Sequence, residues 1–303
     1  MMELTVFQDK IRDLLPDIVL AFNEPMAKHT SFRIGGPAEV MAFPKNTQEL
    51  SALLKTSALL DCKTAILGAG TNVLAPDSGM SGLVICLKEA FDGLQLLDET
   101  HLYVAAGVTM TRAAVFAANH GLSGLEFAHG IPGTVGGGVY MNAGAYGGEI
   151  CQVCQSVDVM NPDGSVETLS NEQMGFSYRH SCLEDNNQIV VGVVFSLEKM
   201  DSEKIREKMR ELMAKRSASQ PLDLPSAGSA FKRPVGGYAA ALIDQSGLKG
   251  YQVGGAAVSQ KHAGFVVNLG DATAADVTAL LKQVSDRVFS SSGIRLEPEV
   301  RIW

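Results

Sequence analysis

Apolar residues recur along this chain with two periods, one helical and one alternating, and the switches between them outline the elements. Leu4, Phe7, Ile11, Leu14 and Leu15 fall at helical spacing before Pro16, which predicts a surface helix within residues 1–18. Strand-like runs follow at Glu39–Phe43, Thr64–Leu67, Val84–Leu87 and Leu102–Ala106, with a helix over Thr47–Leu60 between the first two. Thr109 is placed to cap a helix that runs to His120 and stops at Gly121. Strands return at Ser156–Met160 and Val166–Leu169, joined by the turn Asn161-Pro162-Asp163-Gly164, and again at Gln188–Leu197. Beyond a charged amphipathic helix at 201–217 and a loop from Gln220 to Ser226 come a short helix, Ala239–Gln245, and strands at Ala256–Ser259 and Gly264–Asn268. The last long helix, Thr273–Ser290, turns Ala275, Val277, Leu280, Leu281, Val284 and Val288 towards a core, and Val300–Trp303 reads as a final strand. The pattern is α+β. Charge density rises sharply between 198 and 220, which suggests a domain boundary there, after the helix at 1–18.

Composition narrows the function. A chain of 303 residues is long enough for two or three folding units. A net charge of -8 argues against a partner made of nucleic acid, which needs a basic face. No apolar run is long enough to span a bilayer, and the N-terminus lacks the basic and apolar regions of a signal peptide. Five cysteines, an odd count, point to reduced thiols and a cytoplasmic setting. Cys151 and Cys154 form one CxxC without further ligands at zinc spacing, so no metal is expected and the thiols read as buried or incidental.

Two glycine loops carry the candidate chemistry. The first, Gly68-Ala69-Gly70-Thr71-Asn72-Val73-Leu74, follows a strand as a dinucleotide fingerprint does. It lacks the third glycine and runs into a turn, Leu74-Ala75-Pro76-Asp77-Ser78-Gly79, where a Rossmann fold needs a helix. The second lies in the glycine-dense stretch Gly121–Gly148 and includes Gly130, Gly133, Gly136, Gly137, Gly138 and Gly144. It has no Gly-Lys-Ser/Thr, and no Lys or Arg occurs between Arg112 and Arg179. A phosphate bound there is neutralised by backbone amides and hydroxyls, which glycine lets approach closely. Ser31, Thr71, Asn72, Thr134 and Asn142 supply polar side chains, and Arg33 is the nearest upstream cation. Either loop alone is explained by tight turns. Two loops with hydroxyl partners favour nucleotide binding, of a nucleotide that composition does not identify.

Six ordered segments add a resemblance. They are Thr30-Ser31-Phe32-Arg33-Ile34-Gly35-Gly36-Pro37-Ala38, Leu67 to Leu74, Gly130 to Gly148 with Met141-Asn142-Ala143-Gly144-Ala145-Tyr146-Gly147, Ser177-Tyr178-Arg179, Ser226-Ala227-Gly228-Ser229-Ala230-Phe231-Lys232, and Leu296-Glu297-Pro298-Glu299-Val300-Arg301. Together, from about Asn23 to the end, they resemble the UDP-N-acetylenolpyruvoylglucosamine reductase (MurB) family, in the shorter type II form. The resemblance implies a two-subdomain FAD-binding unit of the PCMH, or vanillyl-alcohol-oxidase, type at 19–200. A C-terminal α+β substrate-binding domain is implied at 201–303, with the last strand returning towards the flavin site. It implies non-covalent FAD and NADPH as co-substrate. The implied reaction reduces UDP-N-acetylglucosamine enolpyruvate to UDP-N-acetylmuramate, in the synthesis of peptidoglycan precursors.

The same resemblance assigns roles. Ser31, Arg33, Gly68, Gly70, Thr71, Asn72, Gly130, Gly133, Thr134, Gly137, Asn142 and Gly144 are the expected flavin-binding positions. Arg179 matches the catalytic arginine, whose guanidinium suits a carboxylate. Ser229 matches the proton donor. Glu299 matches the catalytic glutamate, and Glu297 is expected to be exposed. Tyr178, Arg216, Lys232, Arg233 and His262 are the expected substrate contacts, with Lys215 beside them in a basic cluster suited to a diphosphate. His120 and His129 are expected to have core or surface roles. Two rivals stand beside this reading, another non-covalent FAD oxidoreductase of the same fold and a catalytically silent nucleotide-binding protein.

Overall fold

Thr5 opens the first helix, Val6–Leu14, through a capping box with Gln8. The computed structural model describes residues 5–88 and 90–303, so Leu4 of the expected helix lies outside the described residues. The helix is not a purely surface element. Ile11 is fully buried, and the buried Gln8 side chain donates to the Glu39 carbonyl at 2.8 Å, which satisfies the polar group that burial would otherwise leave unpaired.

The chain divides into two compact units. The first comprises Met1–Phe22, Glu39–Ala69 and Ser81–Lys215, and the second Asn23–Ala38, Gly70–Met80 and Arg216–Trp303. The division interleaves the chain, where the resemblance implied the contiguous segments 19–200 and 201–303. The physical reason is apolar. Phe32, Ile34 and Leu74 are buried in one core with Val277, Leu280 and Val284, and so carry their segments into the second unit.

The first unit holds two cores. One lies against a four-stranded sheet ordered Val19–Pro25, Pro37–Phe43, Met80–Cys86, Thr64–Leu67, in which the last two strands run parallel. The helix Thr47–Leu59 covers it, burying Leu50, Leu53, Leu54 and Ser57, the i, i+3, i+4, i+7 stripe expected of an amphipathic helix. The other core lies on a five-stranded sheet ordered Val166–Ser170, Cys154–Met160, Ile189–Ser196, His101–Ala105, Leu94–Leu96. Its four strand pairings are all antiparallel. The central Ile189–Ser196 is buried on both faces, which explains its unbroken apolar run, and the edge strand Val166–Ser170 is mostly exposed. Met110–Asn119, capped by Thr109, packs on this core with the short helix Val135–Tyr140, which the sequence did not suggest.

The second unit is built on an antiparallel sheet ordered Ser226–Ser229, Phe265–Asn268, Ala256–Val258, Gln252–Val253, with helices Ala239–Gln245 and Ala274–Ser292. The last helix starts one residue later than expected, because Thr273 is its cap. Ala274 is therefore the buried residue and Ala275 is exposed. The final strand, Arg301–Ile302, pairs in parallel with Val73–Leu74, the end of the first glycine loop. Among the described residues no helix is long and apolar enough to cross a membrane.

The register of the last helix sets a stability prediction. Leu280 is fully buried, so Leu280→Ala is expected to lower the unfolding free energy by about 2–5 kcal/mol in urea titration. Ala275→Ser, on the exposed face, should stay within about 0.5 kcal/mol of the parent. Equal losses at the two positions would place the helix in the wrong register.

Candidate active site

The two glycine loops meet at Gly68. A Cβ on Gly68 would lie 2.7 Å from the Thr134 Oγ1, so only glycine allows this approach. Thr134 caps Val135–Tyr140, and the first amides of that helix are taken up internally. Val135 donates to Val108 O at 2.7 Å and Gly136 to Ala106 O at 2.9 Å, while Gly137 points at Thr134 Oγ1 at 3.4 Å. Gly130 likewise donates to Thr111 Oγ1 at 3.3 Å. The amides of Gly133 and Thr134, and of Ala69 and Gly70 in the first loop, make no hydrogen bond among the described residues. Runs of unengaged amides suit a polyanion better than any internal partner. His129, one residue before Gly130, adds a buried Nδ1 with no hydrogen-bond partner, and burial lowers its pKa. Sequence reasoning gave His129 no role. The signal is burial of a polar atom, which is not visible in sequence.

The Thr30–Ile34 turn is built to present Arg33. The buried Thr30 hydroxyl pairs with both the carbonyl and the amide of Ile34, and the buried Asn268 donates to Phe32 O at 2.9 Å. Arg33 takes a left-handed backbone, φ 57°, with its side chain exposed. Ser31 turns inward, its hydroxyl donating to Ser226 O at 2.6 Å.

Left-handed, non-glycine backbone recurs at Asn142 (φ 41°), Tyr146 (φ 54°) and Arg179 (φ 56°). Such residues are uncommon, and they concentrate where structure is strained for a purpose. Asn142 is buried and its side-chain amide is fully engaged. Its Nδ2 donates to Glu149 Oε2 at 3.1 Å and Ser177 O at 3.0 Å, and its Oδ1 accepts from the Cys151 amide at 3.0 Å. Ser177 and His180 exchange both backbone hydrogen bonds, so Tyr178 and Arg179 form the tip of a two-residue turn. Arg179 is half-buried. Its guanidinium donates to Gly144 O at 3.2 Å and lies 4.9 Å from the centre of the Tyr178 ring.

In the second unit one residue gathers the other expected catalytic groups. The Ala230 amide donates to Gly264 O at 2.8 Å, and its carbonyl accepts from the Glu299 amide at 2.9 Å. Ser229 therefore sits beside Glu299 and beside the hairpin turn that carries His262. Gly228 is left-handed, φ 75°, and Ser229 ends its strand exposed, with no hydrogen bond to its hydroxyl among the described residues. Glu299 is half-buried, and Asn72 Nδ2 donates to its carbonyl at 3.0 Å. Glu297 is exposed and pairs with Lys232 at 3.7 Å. The His262 Nδ1 accepts from the Gly264 amide at 3.1 Å, and burial lowers the pKa of the ring.

The basic cluster is less uniform than its sequence suggests. Lys215 lies on the exposed helix surface, paired with Glu211, while Arg216 is buried and donates to Gln220 Oε1 at 3.1 Å. Arg233 stacks over the Tyr238 ring at 4.1 Å. Cys154 is buried, which pushes its thiol up to about 12, and burial also raises Cys151. Neither forms a thiolate at neutral pH, so neither is an activated nucleophile. Among the described residues no three His, Cys, Asp or Glu side chains are grouped as a metal site.

Residues 38–170 match the model of an FAD binding domain, and residues 220–303 that of the UDP-N-acetylenolpyruvoylglucosamine reductase C-terminal domain. A UDP-N-acetylenolpyruvoylglucosamine reductase from Caldanaerobacter subterraneus is 44% identical over 297 residues, covering 98% of each chain. The chain belongs to the UDP-N-acetylenolpyruvoylglucosamine reductase family. A second reductase, from Latilactobacillus sakei, is 46% identical over 281 residues, with 92% of both chains covered. The crystal structure of the Thermus caldophilus reductase superposes with a TM-score of 0.80 at 35% identity, over 94% of this chain and 98% of that one. Alkyldihydroxyacetonephosphate synthase shares the fold alone, at a TM-score of 0.50 and 16% identity, over 66% of this chain and 42% of that one. The α+β class, with its two-subdomain FAD-binding unit and a reductase-type C-terminal domain, thus stands. FAD fits the residues of this family member. The unengaged amides suit its pyrophosphate, and the orphaned His129 Nδ1 is a polar atom that a ligand would satisfy.

The left-handed turn makes a prediction about strain. Arg179→Val places a β-branched residue at φ 56°, and should unfold with roughly 1–3 kcal/mol less stability than Arg179→Gly in parallel urea titrations. Equal stability of the two variants would mean that the turn is not strained.

Proposed function

We propose that the chain is a cytoplasmic, flavin-dependent reductase that converts UDP-N-acetylglucosamine enolpyruvate to UDP-N-acetylmuramate with NADPH, in peptidoglycan precursor synthesis for the cell wall. The observation that carries the reading is the backbone pairing through Ala230, which sets Ser229 beside Glu299 within a domain of the reductase type. When bound, FAD would supply the two-electron chemistry that couples oxidation of NADPH to reduction of the enolpyruvyl double bond.

The amides of Ala69, Gly133 and Thr134 would hold its pyrophosphate without a cation, helped by the Thr134 hydroxyl. No covalent tether is expected. Arg179 binds the substrate carboxylate, where negative charge collects as the β-carbon gains hydride. A guanidinium stays charged there and offers paired donors. Ser229 then protonates the α-carbon. Its hydroxyl is exposed and makes no hydrogen bond among the described residues, so its proton is available, and a weak acid suffices against a strongly basic carbanion. Glu299 polarises the carboxylate or orients its cation. His262, neutral and accepting at Nδ1, presents Nε2–H as a donor to substrate. Lys232 and Arg233 attract the diphosphate electrostatically, whereas Arg216 is buried and donates to Gln220.

An anaerobic titration tests the whole reading. NADPH should bleach the bound flavin, and the enolpyruvyl sugar nucleotide should then restore its colour. Denaturation should release all of the yellow chromophore. In Ser229→Ala the bleaching should persist while product formation falls by roughly 10²–10⁴-fold, the usual contribution of a positioned acid. Reoxidation by O2 but not by the enolpyruvyl substrate would sink the reductase reading. Unchanged turnover in Ser229→Ala would sink the proton-donor role.

A further inference from the structure

Three polar side chains of the cofactor loops donate to main-chain carbonyls at, or close in sequence to, the three residues given catalytic roles. Asn72 Nδ2 reaches Glu299 O at 3.0 Å across 227 residues of sequence. Asn142 Nδ2 reaches Ser177 O at 3.0 Å, two residues before Arg179. Ser31 Oγ reaches Ser226 O at 2.6 Å, three residues before Ser229. We infer that Asn72 and Asn142 are positioning residues, which hold Glu299 and the Arg179 turn in place, and that their side-chain amides are not primarily flavin ligands. The inference deepens the proposed function and rests on it for the roles of Glu299 and Arg179.

The geometry around each asparagine supports a clamp. The Asn72 main chain also accepts from the Arg301 amide at 2.9 Å, so Asn72 grips the last strand at two points, one on either side of Val300. That strand is short. Among the described residues Arg301–Ile302 pairs only with Val73–Leu74, and the Glu299 amide donates to Ala230 O. Removing the Asn72 amide leaves the carbonyl side of Glu299 without that tether. Asn142 has committed both Nδ2 protons and its Oδ1 to Ser177, Glu149 and Cys151. A side chain so engaged has no donor left for a phosphate. It reaches these partners only from a left-handed backbone, a conformation that asparagine tolerates better than most residues.

The decisive variant is Asn72→Ala, compared with Glu299→Gln and with the double variant. Three measurements are made: flavin content, the rate of anaerobic bleaching by NADPH, and the rate at which the enolpyruvyl sugar nucleotide restores the colour. The clamp predicts flavin content near the parent value and bleaching within about twofold, with reoxidation slowed at least about tenfold. It also predicts a double variant no slower than Glu299→Gln, because residues acting through one group are not additive. Hydrogen exchange gives a readout without turnover. The Glu299 and Arg301 amides should lose protection in Asn72→Ala, while those of the Ala274–Ser292 helix keep theirs. Unchanged protection at Glu299 overturns the proposal, as does loss of flavin with normal reoxidation in the molecules that retain it. Failure of the enolpyruvyl substrate to reoxidise the parent counts against the proposed function instead, and the exchange measurement then decides the clamp. Asn142→Ala should show the same split between half-reactions. If that buried substitution prevents folding, Asn72→Ala alone decides.

Discussion

Burial of three apolar side chains governs most of the site. Phe32, Ile34 and Leu74 lie in the core of the second unit, packed with the last helix and with Ala227, Ala230 and Phe231. Each contributes about 1.5–3 kcal/mol when fully buried. That driving force draws two remote segments, Asn23–Ala38 and Gly70–Met80, out of the surrounding chain and into this unit. Once there, Ser31 and Asn72 lie within reach of Ser226 and Glu299. The polar contacts do not build the arrangement. They fix its register after the apolar residues have placed it.

Elements with strong periodicity were legible in the sequence. The helices at Thr47–Leu59, Met110–Asn119 and Ala239–Gln245 follow from spacing and capping residues. The helix Val135–Tyr140 was not, because three consecutive glycines oppose it by about 1 kcal/mol each. Tertiary contact explains why it forms nonetheless. A Cβ on Gly136 would lie 2.9 Å from the Ala106 Cβ, and one on Gly138 would lie 2.8 Å from the Met110 sulfur, so glycine buys an approach that any larger residue forbids. Val19–Pro25 was missed for a different reason. Its interior residues, Leu20–Glu24, are half-buried on both faces, so no alternation marks it.

The sequence named candidate site residues, and the resemblance gave them roles, but neither showed how the main chain holds them. Ordered motifs pointed to Arg179, Ser229 and Glu299, and to the glycines. The partners of Asn72 and Asn142 lie 227 and 35 residues away, and one chain contains no trace of such pairings. The same holds for strain. Nothing in Ser177-Tyr178-Arg179 announces a left-handed arginine, because turn chemistry favours glycine or asparagine there. His129 was passed over because a lone histidine usually carries a satisfied core or surface role. Only its buried, unpartnered Nδ1 distinguishes it.

The chemistry of the clamps suits their surroundings. No Lys or Arg occurs between Arg112 and Arg179, so the second glycine loop offers a polyanion only amides and hydroxyls. A lysine or arginine used to hold Glu299 or Ser177 would compete for that polyanion and for the substrate carboxylate, and would misdirect both. An asparagine amide is neutral at every physiological pH and binds a carbonyl through one short, directional bond. It fixes position without adding to the local field. The charged groups proposed to meet reactants are Arg179, Lys232, Arg233 and Glu299. Neutral amides holding charged reagents keep the electrostatics of this site tied to its chemistry.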